Sequence, residues 1–306
     1  MVRRPNKNNK KNHPTTEGEG SLEHLVQDEH RFPHFWDSSS NTWTVRNDVR
    51  NLGIMGGDGK ITYNEWLQVP YSKRKHFGPD LQFGYIMAEL TDAPVLLLKS
   101  CIGNRAIGWD LLPPGSKSFT YEGDGYTYAG YGDTPSRWKV GEPIKKVNWY
   151  GGKEYDIDVA NAKKILQNLP DYYPEATPGN YRIEGFLWWQ GDRDRRSAAL
   201  ASRYELNLVN LIKQLRIDFD APDAKFVLAT IGMMKYKMKG PTKQVWEAQM
   251  AMNDHEKYPE FQGNVKAVDI RSSVGKDAGY HYGGDAKTYM EVANAMGLAM
   301  AQLLYP

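Results

Sequence analysis

Short apolar runs that break off abruptly in polar residues recur along the chain. They stand at Ala93–Cys101 (APVLLLKSC), Arg182–Gln190, Lys225–Gly232 (KFVLATIG) and Asn264–Arg271 (NVKAVDIR). Runs of this length, apolar on both faces, predict strands buried in a sheet. Between and around them the spacing of apolar residues switches to that of helices, over Pro79–Leu90, Ile157–Leu169, Ser197–Ile217, Thr242–His255 and Asp285–Leu304. Leu200, Tyr204, Leu208, Leu211 and Leu215 form one stripe, and Tyr289, Val292, Met296, Ala299 and Leu303 form another. Strands that alternate with helices in this way predict an α/β fold, a three-layer α/β/α doubly wound parallel sheet.

Two long stretches interrupt the alternation. Residues 29–76 are rich in His, Trp, Asn and Gly, and residues 110–153 in Gly, Tyr and Pro. Both read as irregular insertions, and loops of such length inside a compact domain usually carry function. The second holds Tyr121, Tyr126, Tyr128, Tyr131 and Trp138. Their rings suit two roles equally, stacking on sugars or packing on one another.

Composition narrows the function. With 306 residues and 40% hydrophobic content, the chain is long and apolar enough for one large α/β domain or two small ones. The 39 basic and 37 acidic residues leave a net charge of +2, which gives no electrostatic case for nucleic acid. Cys101 is the only cysteine, so an intrachain disulfide is excluded. No apolar stretch approaches a membrane span. The first twenty residues, basic and then polar, read as a solvated arm ahead of a single domain over 21–306.

Two candidate motifs fail on inspection. GDGKITYNEW (57–66) resembles the later half of a calcium-binding loop, but the first ligand positions would fall on Ile54 and Gly56. His24, His30 and His34 do not follow a metal-ligand spacing. The chain also lacks a G-x-S-x-G elbow, a P-loop and a dinucleotide fingerprint. No metal or organic cofactor is expected.

The chemistry concentrates in three segments that a doubly wound sheet brings to one rim. In CIGNRAIGW, Gly103 and Asn104 offer a backbone N–H and a side-chain amide. WWQGDRD ends a strand and carries Gln190, Asp192 and Asp194. In KDAGYHYGG, His281 precedes the last helix and Asp277 lies four residues earlier. A histidine beside a carboxylate serves as an oriented general base. Amide donors facing a reacting carbonyl form an oxyanion hole. Together these are the supporting parts of an acyl-transfer site.

From about Ser21 onward the chain resembles the sialate O-acetylesterase-like carbohydrate esterases of the SGNH hydrolase superfamily, in particular a bacterial branch with large insertions. The matching segments, in order, are GSLEHL (20–25), FGPDLQFGYIMAEL (77–90), LLLKSCIGNRAIGWDLLPP (96–114), EGFLWWQGDRD (184–194) and YHYGGDAKTYMEVANAMGLAM (280–300). The resemblance implies hydrolysis of acetyl esters on carbohydrate. It implies His281 as catalytic base, Gly103 as an oxyanion N–H and Gln190 as a side-chain oxyanion donor. Asn104, Asp192 and Trp189 are expected at the substrate. Asp192 stands where the family has Glu, one methylene longer. The triad acid usually lies three residues before the histidine; Asp277 lies four before, and a backbone carbonyl is the alternative partner. Family members are commonly exported, so an exported protein is expected.

The family's nucleophile is the serine of a Gly-Gln-Ser-Asn-Met block after the first strand, and this chain has no such block. The expectation is that Met1 is the methionine of that block, with strand and serine upstream. Without that strand, four or five buried apolar side chains at ~1.5–3 kcal/mol each are forfeited, roughly 6–15 kcal/mol. That equals the stability of a typical domain, roughly 5–15 kcal/mol, and predicts poor solubility or a partly molten state for these residues alone. The rival expectation is a carbohydrate-binding or interaction protein that keeps the fold without the nucleophile. A phosphodiesterase or lipase of the same superfamily fits less well, because Trp- and Tyr-rich loops suit sugars better than acyl chains.

Overall fold

The computed structural model describes residues 20–55, 59–69, 76–275 and 279–306. Its main strands are β1 (Val45–Met55), β2 (Ile61–Gln68), β3 (Val95–Cys101), β4 (Phe119–Tyr121), β5 (Tyr126–Tyr128), β6 (Arg137–Lys139), β7 (Gly185–Trp188), β8 (Lys225–Ala229) and β9 (Val265–Val268). The main helices are α1 (Asp80–Ala88), α2 (Lys153–Gln167), α3 (Ala198–Asp218), α4 (Gly240–Met250) and α5 (Ala286–Leu304). Each of the four expected strands and five expected helices is present, shortened or shifted at its ends by a few residues.

The helices begin where the chain supplies caps. Ser197 accepts from the N–H of Leu200 at the start of α3, and Asp285 accepts from that of Thr288 at the start of α5. The stripe read from the sequence of α3 is the face that packs inward, with Tyr204, Leu208, Leu211 and Ile212 at most 1% exposed. Helices α1 and α5 pack against each other over one face of the sheet; α2, α3 and α4 cover the opposite face. This is the doubly wound architecture that the alternation implied.

The parallel strands form two half-sheets. One has the order β9-β8-β7, all parallel, with Phe226 opposite Phe186 and Val265. The other has the order β2-β1-β3, in which β1 runs parallel to β3 and antiparallel to β2. Among the described residues, β3 pairs only with β1, and β7 only with β8. The exposure follows this pattern. Every residue of β3 is only partly buried and Leu187 of β7 is 36% exposed, whereas Phe226–Ala229 of β8 are 0% exposed.

The stretch 29–76 departs from expectation, because it contains the β1/β2 hairpin instead of irregular chain. The strand was hidden by its polar residues, Arg46, Asn47, Asp48, Arg50 and Asn51. Arg50 donates to Asn64 across the hairpin and lies 5.0 Å over the Trp66 ring. Asn51 is 0% exposed and donates to the Asp80 carboxylate at 3.0 Å, and Asp80 pairs in turn with Lys99 at 3.2 Å. A polar residue inside a strand is tolerated when its partners are buried with it. Ile61–Gln68, the second half of the calcium-loop look-alike, is β2.

The stretch 110–153 folds on itself around the small antiparallel sheet β4-β5-β6. Phe119 stacks on Tyr128 at 5.5 Å, Arg137 lies 4.6 Å over Tyr126, and the Tyr131 and Tyr150 hydroxyls both donate to Asp156 of α2. Most of its rings therefore serve internal packing. No helix among the described residues is long and apolar enough to cross a membrane.

Candidate active site

The C-terminal ends of β3 and β7 meet at a common rim. Beyond β7, the side-chain amide of Gln190 donates to the carbonyl oxygen of Arg105 at 2.9 Å and to Asp194 Oδ2 at 2.6 Å. Its own oxygen accepts from the Tyr204 hydroxyl at 2.9 Å. Gln249 of α4 completes the cluster, donating to the Gln190 carbonyl and accepting from the N–H of Ile231 after β8. Gly191 is held at φ 135, where a Cβ would come within 2.8 Å of Ile231, so the turn that aims Gln190 requires glycine.

Asp194 is the residue that sequence reasoning undervalued. It is 0% exposed and accepts from the N–H groups of Ile107 and Gly108 as well as from Gln190. Burial nevertheless pushes its pKa up to about 6. Asp192, expected at the substrate, pairs with Arg195 and Arg196, at 2.7 and 2.5 Å.

The loop after β3 is pinned from Arg105 onward. Asp110 accepts from the N–H of Ala106, and Asp194 takes the next two N–H groups. The Arg105 guanidinium lies 4.8 Å over Trp149 and 3.6 Å from Glu154. Gly103 and Asn104 precede this pinned segment. Both are exposed, no atom lies within 4 Å of a Cβ built on Gly103, and Asn104 sits at φ 62. Their backbone N–H groups have no partner among the described residues. These are donors held open at the rim.

His281 lies in a tight turn with left-handed backbone at His281 (φ 48), Tyr282 (φ 53), Gly283 and Gly284. Such geometry at two non-glycine residues costs energy, and it persists only where the surroundings enforce it. Here Tyr282 is clamped. Its hydroxyl accepts from the N–H of Gly232 at 3.1 Å, and its ring stacks on Trp189 at 5.4 Å and 11°. Tyr289 meets Trp189 edge-on at 5.3 Å. Trp189, expected at the substrate, thus braces the turn that carries His281, which is itself partly exposed. Asp277 lies outside the described residues.

The structure therefore brings Gly103, Asn104 and Gln190 to one rim and fixes His281 against the ends of β7 and β8. Both N–H groups of the Gln190 amide are engaged, so donation from it to an oxyanion requires one of these bonds to open. The structure describes cavities of about 430 and 280 Å³, and neither is lined by Gly103, Gln190 or His281.

Residues 62–302 match the family model described as carbohydrate esterase, sialic acid-specific acetylesterase. No curated protein matches the chain. Among solved structures, a protein of Arabidopsis thaliana shares 17% identity and a TM-score of 0.54, over 87% of this chain and 90% of that one. A carbohydrate acetylesterase from Xanthomonas citri shares 16% identity and a TM-score of 0.51, over 85% of this chain and 50% of that one. At these identities the solved structures attest to the fold.

Proposed function

Because the chain belongs to the carbohydrate esterase family of sialic acid-specific acetylesterases, we propose that it removes O-acetyl groups from carbohydrate through an acyl-enzyme. The observation that carries the mechanism is the interruption of the sheet. Strands β3 and β7 each leave one edge without a strand partner among the described residues, while their ends are tied together by Gln190 and Arg105. A parallel strand seated between them would end at the same rim, among Gly103, Asn104 and the His281 turn. The serine nucleophile belongs on such a strand.

In the reaction the serine hydroxyl attacks the acetyl carbonyl and His281 takes its proton. The backbone N–H groups at Gly103 and Asn104 hold the negative oxygen of the tetrahedral intermediate. His281 returns the proton to the departing sugar oxygen, leaving acetyl-serine. Water then adds with His281 again as base, and acetate leaves. Gln190 positions the oxyanion loop through Arg105 and becomes a direct donor when that bond opens. Asp277 is the proposed partner of His281. The resemblance to exported esterases supports a place outside the cytoplasm.

Acetate release from acetylated xylan or a chromogenic acetate ester by the whole protein tests this reading. Turnover is expected. Carbohydrate binding without turnover in that protein would support instead a binding module that has kept the fold.

A further inference from the structure

Arg105 is held at two ends. Its carbonyl oxygen accepts from the Gln190 amide at 2.9 Å. Its guanidinium lies 4.8 Å over the Trp149 ring and beside two carboxylates, Glu154 at 3.6 Å and Asp110 at 3.8 Å. Asn104 directly precedes it, so whatever fixes Arg105 also fixes the open N–H groups of the oxyanion loop.

The carboxylate end of this anchor is rigid. Glu154 stands in the first turn of α2, where the N–H groups of Glu154 and Tyr155 donate to the Asp110 carbonyl oxygen and that of Gly152 donates to Trp109. Helix and loop are thus one frame at this point. The polar atoms at its centre, however, are unspent. Glu154 is 1% exposed, yet neither of its oxygens has a hydrogen-bond partner, and the same holds for the buried Arg105 Nε and Trp149 Nε1. Buried polar atoms are almost always bonded, so idle ones on both sides of one contact mark a contact that closes at some stage. Arg105 Nε and Glu154 Oε2 stand 3.6 Å apart, and a shift of under ~1 Å makes them a charge-assisted hydrogen bond.

The reaction creates the need for it. Gln190 donates to an oxyanion only by releasing the Arg105 carbonyl, and the loop then loses its tie at the residue next to Asn104. We propose that Glu154, acting through the Arg105 guanidinium, is the positioning residue that holds Gly103 and Asn104 when Gln190 turns to the substrate, an inference that rests on the esterase reading above. The hold needs a charged carboxylate, because the bond to a neutral one is weaker. The groups that face Glu154 are Arg105 and Asp110 from the loop, Asp158 from α2 and Cys101 from the end of β3. Burial first, then Asp158, pushes its pKa up to about 7, and Arg105 opposes them.

The test compares the whole protein with Glu154→Gln, which keeps the size of the side chain and removes its charge. Above about pH 7, kcat for a chromogenic acetate ester is expected to fall about tenfold with KM within about twofold, because the oxyanion contact belongs to the transition state. Below about pH 6 the parent's own Glu154 is protonated and the two proteins should converge; the ratio of their rates cancels the limb due to His281. Arg105→Met should lower kcat by a similar factor, and the double variant should fall no further. Amide exchange gives a readout without any ester. The Ala106 N–H, which donates to Asp110 at 2.9 Å, is expected to exchange about fivefold faster in Glu154→Gln above about pH 7. A rate ratio that stays flat with pH, additive losses in the double variant, or unchanged Ala106 exchange would overturn the proposal. A parent that releases no acetate contradicts the esterase reading instead, and the exchange result then decides the positioning role by itself.

Discussion

The Gln190 side-chain amide donates to the Arg105 carbonyl oxygen at 2.9 Å, tying the end of β7 to the end of β3 although the two strands do not pair. The bond spans the interruption in the sheet. It also sets the height of the loop on which Gly103 and Asn104 stand open. The clamp and the oxyanion loop are thus one mechanical unit.

Replacing Gln190 by Leu removes that clamp and takes one hydrogen bond each from the Asp194 carboxylate and the Tyr204 hydroxyl, which keep Ile107, Gly108 and Gln249 as partners. A loss on the order of 2 kcal/mol is expected, since each hydrogen bond contributes about 0.5–1.5 kcal/mol and one to a charged group about 1.5–3. Urea unfolding measures it. A change below about 0.5 kcal/mol, the scale of ordinary surface substitutions, would mean that the rims are not coupled through this residue.

Trp189→Ala takes away the ring on which Tyr282 stacks, and with it the support of the left-handed turn at His281. A cost of about 2–4 kcal/mol is expected, and Trp189→Phe should recover much of it. Near-ultraviolet circular dichroism reports the stacked rings. An unchanged aromatic signal in the Ala variant would show that Trp189 does not brace the turn.

Burial raises the carboxyl pKa of Glu154 to about 7 and those of Asp158 and Asp194 to about 6. Glu154 is 1% exposed, and neither of its oxygens has a hydrogen-bond partner. A carboxyl whose folded pKa is raised binds its proton more tightly in the folded state. Its contribution to stability is therefore full below the ordinary carboxylate range and is lost as pH rises through the folded value. For Glu154 the window runs from about pH 4.5 to about pH 7. Glu154→Gln should gain stability relative to the parent as pH climbs through it, as read from thermal midpoints. A difference that stays flat with pH would refute the assignment.

Amide hydrogen exchange should separate the strands. Phe226–Leu228 of β8, paired on both sides, should exchange slowest; the N–H groups of β3 and β7 that point into the interruption should exchange fast. Seating a strand between them should protect those same amides. Uniform protection across β3, β7 and β8 in the chain as given would argue against an open edge.

Much of this was legible in the sequence because burial leaves a periodic trace. The helix stripe through Tyr204 and Leu208, and the apolar run that ends at Gln190, mark what faces the core. The β1 strand was illegible because its buried Asn51 depends on Asp80 and Lys99, both distant in sequence. Gln190 stood out as a polar residue at the end of a strand, but its partners come from three other segments. Asp192 and Asp194 look alike in the sequence. Only the fold turns one toward Arg195 and Arg196 and buries the other under Ile107 and Gly108. Residue types announce chemistry, whereas which group faces inward is decided by tertiary contacts.

The most direct test of the account is acetate release by the whole protein, compared with the same protein bearing His281→Ala. The account predicts turnover in the first and a loss of about a thousandfold or more in the second, the scale seen when a member of a catalytic triad is removed. Equal rates in the two proteins, or no acetate from the parent, would contradict it.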